Sequence, residues 1–189
     1  MAEKRRSVRT MQYAPLREVL NFLAFGTRPR FVRELDPLKR TRRLTASAGA
    51  LHPIETVLFD RRGSGRVMRY DPRDHLIQLL RITSAAAVKR LAANCADIAP
   101  EAQGTALILV GDLGRVGAVY ENPVSLLWRD AGALLQTLAL CAVAYRLAFC
   151  PLGALGSEIL EAVDLGQQKS VAAGIAMIGR PVDDAELAD

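Results

Sequence analysis

WRDAGALLQTLALCAVAYRLAFCPLGALG, residues 128–156, is where the architecture becomes readable. From Ser125 to Tyr145 the chain is apolar nearly all round and long enough to cross a bilayer. Arg129, Asp130 and Gln136 interrupt that run, and a charged pair inside a membrane is costly. The pattern therefore predicts a buried helix over about 124–146, at the centre of a domain or on a dimer axis. Phe149 to Gly156 reads as a glycine-bearing crossing segment. Ser157 is then placed to cap a helix over 158–165, which Gly166 stops.

Toward the C-terminus, AAGIAMI (172–178) is a strand, closed by Gly179-Arg180-Pro181. Toward the N-terminus, TALILV (105–110) lies between Gly104 and Gly111 as a continuous apolar run, the mark of a strand covered on both faces. Ile54–Asp60 and Arg66–Tyr70 flank the turn Arg61-Arg62-Gly63-Ser64-Gly65 and form a hairpin. Asp71-Pro72 is expected to open a short helix through His75, Leu76, Leu79 and Leu80, with an alanine-rich helix following at about 84–95. Pro15 stands in the first turn of an amphipathic helix whose apolar face is Leu16, Val19, Leu20 and Leu23, ended by Gly26. Residues 1–14 are a basic N-terminal segment, and 27–46 an irregular basic connection. Hairpin and crossover links mix along the chain. The fold class is therefore α+β, a mixed central β-sheet flanked by helices, in a single domain over 1–189.

The 189 residues suffice for a substantial core, and at 50% hydrophobic and 24% charged they are globular rather than disordered. The net charge of +5 is modest, but arginines crowd the first quarter, from Arg5 to Arg43. Such clustering suits nucleic acid, an acidic membrane surface or a cofactor phosphate. Few aromatics stand among them, which counts against a stacking surface for single strands. No nucleic-acid and no membrane partner is expected. Cys95, Cys141 and Cys150, with His52 and His75, have no metal-ligand spacing, so no metal site is expected. An odd cysteine count, and a start (MAEKRRSVRT) without an apolar run, point to a reducing cytoplasm.

Four places offer chemistry. In Arg5-Arg6-Ser7-Val8-Arg9, an extended backbone sends residues 5, 7 and 9 the same way, presenting two guanidinium groups and a hydroxyl to a phosphate. A solvated basic tail accounts for that run equally well. Ser47-Ala48-Gly49-Ala50-Leu51-His52-Pro53 has small residues that let backbone approach a flat ring, and reads equally as a tight turn before a strand. His52 is placed as a structural hydrogen-bonder before a catalyst. Cys150–Gly156 ahead of a helix offers backbone donors, with Cys150 itself buried and inert. Arg180 closes the last strand, as a cofactor ligand or as a surface arginine.

Taken in order, RRSVR, SAGALHPIE, GRVMRYDPRDH, the 128–156 stretch and the terminal IGRP resemble the nitroreductase superfamily over nearly the whole chain. The SAGALHP loop and the hairpin are most similar to its SagB-type branch, whose members oxidise peptide azolines to azoles. The resemblance implies the nitroreductase-like fold, in an interlocked homodimer holding FMN at the subunit interface. Arg5, Arg6, Ser7 and Arg9 would hold the ribityl phosphate, helped by Arg180. Ser47, Ala48 and Gly49 would come from the partner subunit, and Leu152, Gly153 and Ala154 would line the isoalloxazine.

The sequence departs from the family at three points. Ala46 replaces the proline before the loop serine, and Ala133 stands where the long helix often has histidine. Of the branch's Lys-Tyr pair, Val119-Tyr120 keeps only the tyrosine. Tyr120 is the catalytic candidate that remains, a weak base near neutral pH. The activity implied is an FMN-dependent oxidoreductase moving hydride between a nicotinamide (NAD(P)H) or organic substrate, small molecule or peptide, and an acceptor. The alternative is a non-catalytic or flavin-free partner subunit of a biosynthetic assembly, which the missing lysine and histidine favour.

Overall fold

A computed structural model describes residues 5–62, 65–166 and 169–182. Gly63 and Ser64 of the expected turn lie outside the described residues. In chain order come β1 (Met11–Gln12), α1 (Leu16–Thr27), β2 (Phe31–Val32), β3 (Thr41–Arg42), β4 (Ile54–Asp60), β5 (Arg66–Asp71) and β6 (Leu76–Leu79). They are followed by α2 (Ala85–Ile98), β7 (Thr105–Asp112), α3 (Leu113–Gly117), α4 (Pro123–Tyr145), β8 (Ala148–Leu152), α5 (Glu158–Ala162) and β9 (Ser170–Pro181).

The main sheet runs β1-β9-β7-β4-β5-β6, and β8 also pairs with β9. Every ladder between these strands is antiparallel. The mixed character expected of the sheet comes down to one isolated parallel bridge, Met11 with Ala102. Side chains of a strand alternate between its faces, and this divides the core in two. Val57, Phe59, Ile108 and Val110 face α2 and α5, meeting Leu91, Cys95 and Ile159. Leu58, Leu107 and Leu109 face α1 and α4, meeting Phe22, Leu23, Leu134 and Leu138. Thus Ala106 to Val110 are apolar at every position because β7 is covered on both sides. α4 has the length and hydropathy to cross a membrane. Here it buries one face against α1 and the sheet.

Three local expectations are corrected. The helix expected from Asp71 to Leu80 is a turn followed by β6. Asp71 Oδ1 accepts the N–H groups of Arg73 and Asp74, at 2.8 and 3.4 Å, and His75 is left-handed (φ +56°). The chain reverses there, and residues 76–79 pair with β5 instead of coiling. The crossing segment at 149–156 begins as a true strand, β8. Pro151 is tolerated because β8 is laddered to β9 along one side only. The helix at 158–165 ends early, at Ala162. Val163 bridges Ile82, and the Ser157 side chain makes no capping bond. The basic connection 27–46 also contains a short ladder, β2 with β3.

Candidate functional site

The segment from Ser47 to Pro53, which leads into β4, is anchored to the long helix. Asp130 of α4, only 7% exposed, accepts Ser47 Oγ–H at 2.5 Å and the Ala48 N–H at 3.0 Å. Ser47 Oγ in turn accepts the His52 N–H at 2.9 Å. A buried carboxylate requires such donors, and the loop requires such an anchor. Gly49, Ala50 and His52 are all left-handed, at φ +58°, +56° and +47°. Two of these carry a Cβ, at a cost of about 1–2 kcal/mol each. Gly49 lies against Tyr120, which follows α3: a Cβ at this glycine would stand 2.6 Å from the tyrosine hydroxyl oxygen.

His52 belongs to the same scaffold. Burial, then the charges of Arg43 and Arg115, hold its imidazole down to about 4, against the opposing pull of the Thr41 carbonyl. It is therefore neutral near pH 7. Its Nε2–H donates to the Thr41 carbonyl at 3.0 Å, a structural role.

The basic N-terminal segment lies on the outer edge of β8. Val8 is buried between exposed Ser7 and Arg9, and its N–H donates to the Phe149 carbonyl at 3.1 Å. Arg9 reaches the Cys150 thiol, which burial pushes up in pKa while the arginine opposes the shift. Among the described residues neither Arg5 nor Arg9 has an ion pair. A few residues further along this edge come Leu152, Gly153 and Ala154. The Ala154 carbonyl accepts the Ile175 N–H at 3.2 Å. The N–H groups of Gly153 and Ala154 have no partner among the described residues, and a side chain at Gly153 would meet nothing within 4 Å.

Arg180 is engaged elsewhere. Its Nε donates to Glu18 Oε2 at 3.0 Å, and a second N–H donates to Oε1, a forked pair with α1 that lowers the glutamate pKa. The sequence-derived candidates thus fall into two groups and one outlier. The segment carrying Arg5, Arg6, Ser7 and Arg9 meets β8 through Val8 at Phe149 and Arg9 at Cys150, on the strand that leads to Leu152–Ala154. Ser47, Ala48 and Gly49 are with Tyr120, beside the start of β4. From β8 to β4 is three strand spacings, about 14 Å. Sequence reasoning missed Asp130 as a site residue, together with Arg43 and Arg115. A lone aspartate in an otherwise apolar helix was the available signal, since a buried carboxylate needs partners.

The model of the nitroreductase family matches residues 2–179. The chain belongs to this family. Its fold is that of solved nitroreductase-like structures. A candidate nitroreductase of Ralstonia eutropha JMP134 is 17% identical with a TM-score of 0.67, over 96% of this chain and 81% of that one. A candidate nitroreductase of Exiguobacterium sibiricum 255-15, solved in complex with FMN, is 15% identical with a TM-score of 0.61, over 97% and 87%. A chain of the Escherichia coli microcin synthetase McbBCD complex, solved with truncated pro-MccB17 bound, is 16% identical with a TM-score of 0.65, over 92% and 66%. No curated protein matches the sequence. At these identities the structural likeness establishes the α+β nitroreductase fold, and the family membership rests on the match of the family model.

Proposed function

We propose that this nitroreductase-family chain is an FMN-dependent oxidoreductase, a single domain acting as a cytoplasmic homodimer with FMN at the subunit interface. The carrying observation is the open edge beside β8. Two arginines without ion pairs among the described residues, Arg5 and Arg9, stand on the segment that Val8 fastens to β8, and further along that strand the N–H groups of Gly153 and Ala154 have no partner among the described residues. A phosphate suits the first pair, and an electron-rich ring edge suits the second. Ser7 adds a hydroxyl to the phosphate group, and Arg6 a further cation. The residues present therefore fit FMN. The fit is weakest at Arg180, whose fork is taken by Glu18.

The Ser47–Gly49 loop is three strands away in the same chain, so a second copy is the economical source of that wall. Exposed apolar side chains on α4, Val124 and Trp128 among them, support a paired surface. Three buried cysteines without disulfides accord with a reducing compartment.

When bound, FMN supplies the two-electron chemistry between a nicotinamide or organic donor and an acceptor. The chain's own residues bind and orient. Arg5 and Arg9 would neutralise the phosphate and Ser7 would donate its hydroxyl to it, Gly153 and Ala154 would donate backbone N–H groups, and Asp130 holds the Ser47 loop. Tyr120 is half-buried against Gly49, with its hydroxyl turned to the loop. The azoline-oxidising chemistry of the SagB-type branch lacks its lysine here. A second reading, a non-catalytic subunit of an assembly, draws on that loss and on the likeness to a chain of the microcin synthetase complex.

The test is the visible spectrum of freshly purified protein, repeated with added FMN and then with anaerobic NADPH. Flavin bands that bleach with the nicotinamide support the enzyme. A protein that is colourless and ignores FMN refutes it and leaves the assembly subunit.

A further inference from the structure

A polar cavity of about 340 Å³ lies between the end of the β2–β3 hairpin and strands β4 and β5, away from the β8 edge. Four arginines border it: Arg43, Arg69, Arg73 and Arg115. Arg69 is paired with Glu55 at 3.4 Å, and also donates to Gln78 and to the Leu165 carbonyl. Arg73 is paired with Glu34 at 3.0 Å. The other two have no carboxylate among the described residues. Arg115 donates to the Leu51 carbonyl at 2.7 Å and the Leu38 carbonyl at 3.0 Å, and Arg43 donates only its Nε, to Thr41 Oγ1 at 3.1 Å.

Asp71 and Glu55 also border the cavity, and Asp71 partly offsets the charge of Arg43, but neither makes an ion pair with Arg43 or Arg115 among the described residues. Asp71 is occupied with the N–H groups of its own turn, and Glu55 with Arg69. The neighbouring His52 is neutral and adds nothing of either sign. Burial, then the charge of Arg115, bring the Arg43 guanidinium down to about 10, with Asp71 and Tyr70 opposing. Two half-buried like charges in contact with a cavity are unfavourable unless an anion enters. A guanidinium offers a planar fork to a carboxylate or phosphate, and Arg43 has most of its donors unspent.

We propose that this cavity is a binding site for the oxyanion group of a small molecule, held between Arg43 and Arg115. Ile54, Tyr70 and Thr27 line it beside the cations and would receive the remainder of the ligand. Its volume lies at the lower end of small-molecule sites. Arg43 also borders an adjoining cavity of about 390 Å³ lined by Ser47, Gly49 and Ala50 of the Asp130-anchored loop. The site does not depend on FMN and shares none of the arginines assigned to its phosphate.

The experiment is calorimetric titration of the purified protein with inorganic phosphate, with citrate and with glycerol as a neutral control, at constant ionic strength. Saturable binding of phosphate or citrate is expected, weakened at least about tenfold in Arg43→Gln, the worth of one charge-assisted hydrogen bond. The Arg5→Ala/Arg9→Ala variant should retain it. A preference for phosphate identifies a phosphate ester as ligand, and one for citrate an organic acid. The proposal is overturned by an absence of saturable binding, by undiminished binding in Arg43→Gln, or by loss in Arg5→Ala/Arg9→Ala. Should Arg43→Gln not fold, the wild-type Nε–H resonances of Arg43 and Arg115 decide: they must shift with the titrant, and shifts confined elsewhere refute the site. Loss of FMN binding in Arg5→Ala/Arg9→Ala with retained oxyanion binding would separate this site from the flavin site.

Discussion

Asp130→Ala tests the link between the long helix and the loop before β4. The substitution deletes an acceptor of two hydrogen bonds, from Ser47 Oγ at 2.5 Å and the Ala48 N–H at 3.0 Å, in a position only 7% exposed. Hydrogen bonds to a charged group contribute about 1.5–3 kcal/mol each, and two sharing one carboxylate are not additive, so a loss of about 3 kcal/mol is expected. For a chain of this size that corresponds to a fall in Tm of about 6–12 °C. The assay is thermal unfolding followed by circular dichroism, at fixed protein concentration because an oligomer's Tm depends on it. Asp130→Asn keeps an acceptor for the Ala48 N–H and should lose roughly half as much. In a double-mutant cycle with Ser47→Ala, the coupling should be about 1–3 kcal/mol. A Tm for Asp130→Ala within about 2 °C of wild type, under 1 kcal/mol at this size, or a cycle without coupling, would refute the anchor and the account of how the left-handed loop is held.

Other expectations follow from the same geometry. Arg5→Ala with Arg9→Ala loses FMN and keeps a folded dimer; undiminished FMN affinity by fluorescence titration would place the phosphate elsewhere. Gly49→Ala puts a methyl 2.6 Å from the Tyr120 hydroxyl oxygen at φ +58° and destabilises by about 1–2 kcal/mol from the backbone alone, with more from the clash. Adding Tyr120→Phe should recover the clash but not the backbone cost, and no recovery would argue against that contact. The folded imidazole of His52, near 4, lies below its usual 6.5, so the unfolded chain binds the extra proton between those values. Stability should therefore fall as pH drops from about 6.5 to 4 and be insensitive to His52 above that window. His52→Asn, a residue that tolerates left-handed backbone, should flatten that part of the Tm profile; an unchanged slope would contradict a neutral buried imidazole. Tyr120→Phe should alter turnover modestly, and a rate loss of about a thousandfold, ~4 kcal/mol of barrier, would overturn that reading.

Much of the architecture was legible because its signals are local and periodic. The continuous apolar run of β7, the amphipathic face of α1 and the uninterrupted length of α4 each report burial directly through side-chain spacing. The failures have one origin. Residues 71–80 carry leucines at spacings that suit a helix, but an Asp71 turn and a free edge on β5 offered them a strand partner instead. Phe149–Leu152 looked like a connection because Pro151 and the following glycines signal a break, whereas an available edge on β9 makes a strand of it. Strand pairing is a property of the partner as well as of the segment.

The candidate site divides along the same line. Sequence by itself determined the α+β class, the family resemblance, and the residue types suited to a phosphate and a ring, because charge, size and backbone permissiveness are written into each residue. Only the tertiary structure decided which of these residues share a surface. It fastened Val8 and Arg9 to the strand that leads to Leu152–Ala154, set Ser47–Gly49 beside the start of β4 with Tyr120, and joined Arg180 to Glu18. It also turned Asp130 from an interruption in an apolar helix into the anchor of a loop 82 and 83 residues away in sequence. The physical reason is that hydrogen bonds and ion pairs act over a few ångströms of space, and the distance along the chain carries no information about them.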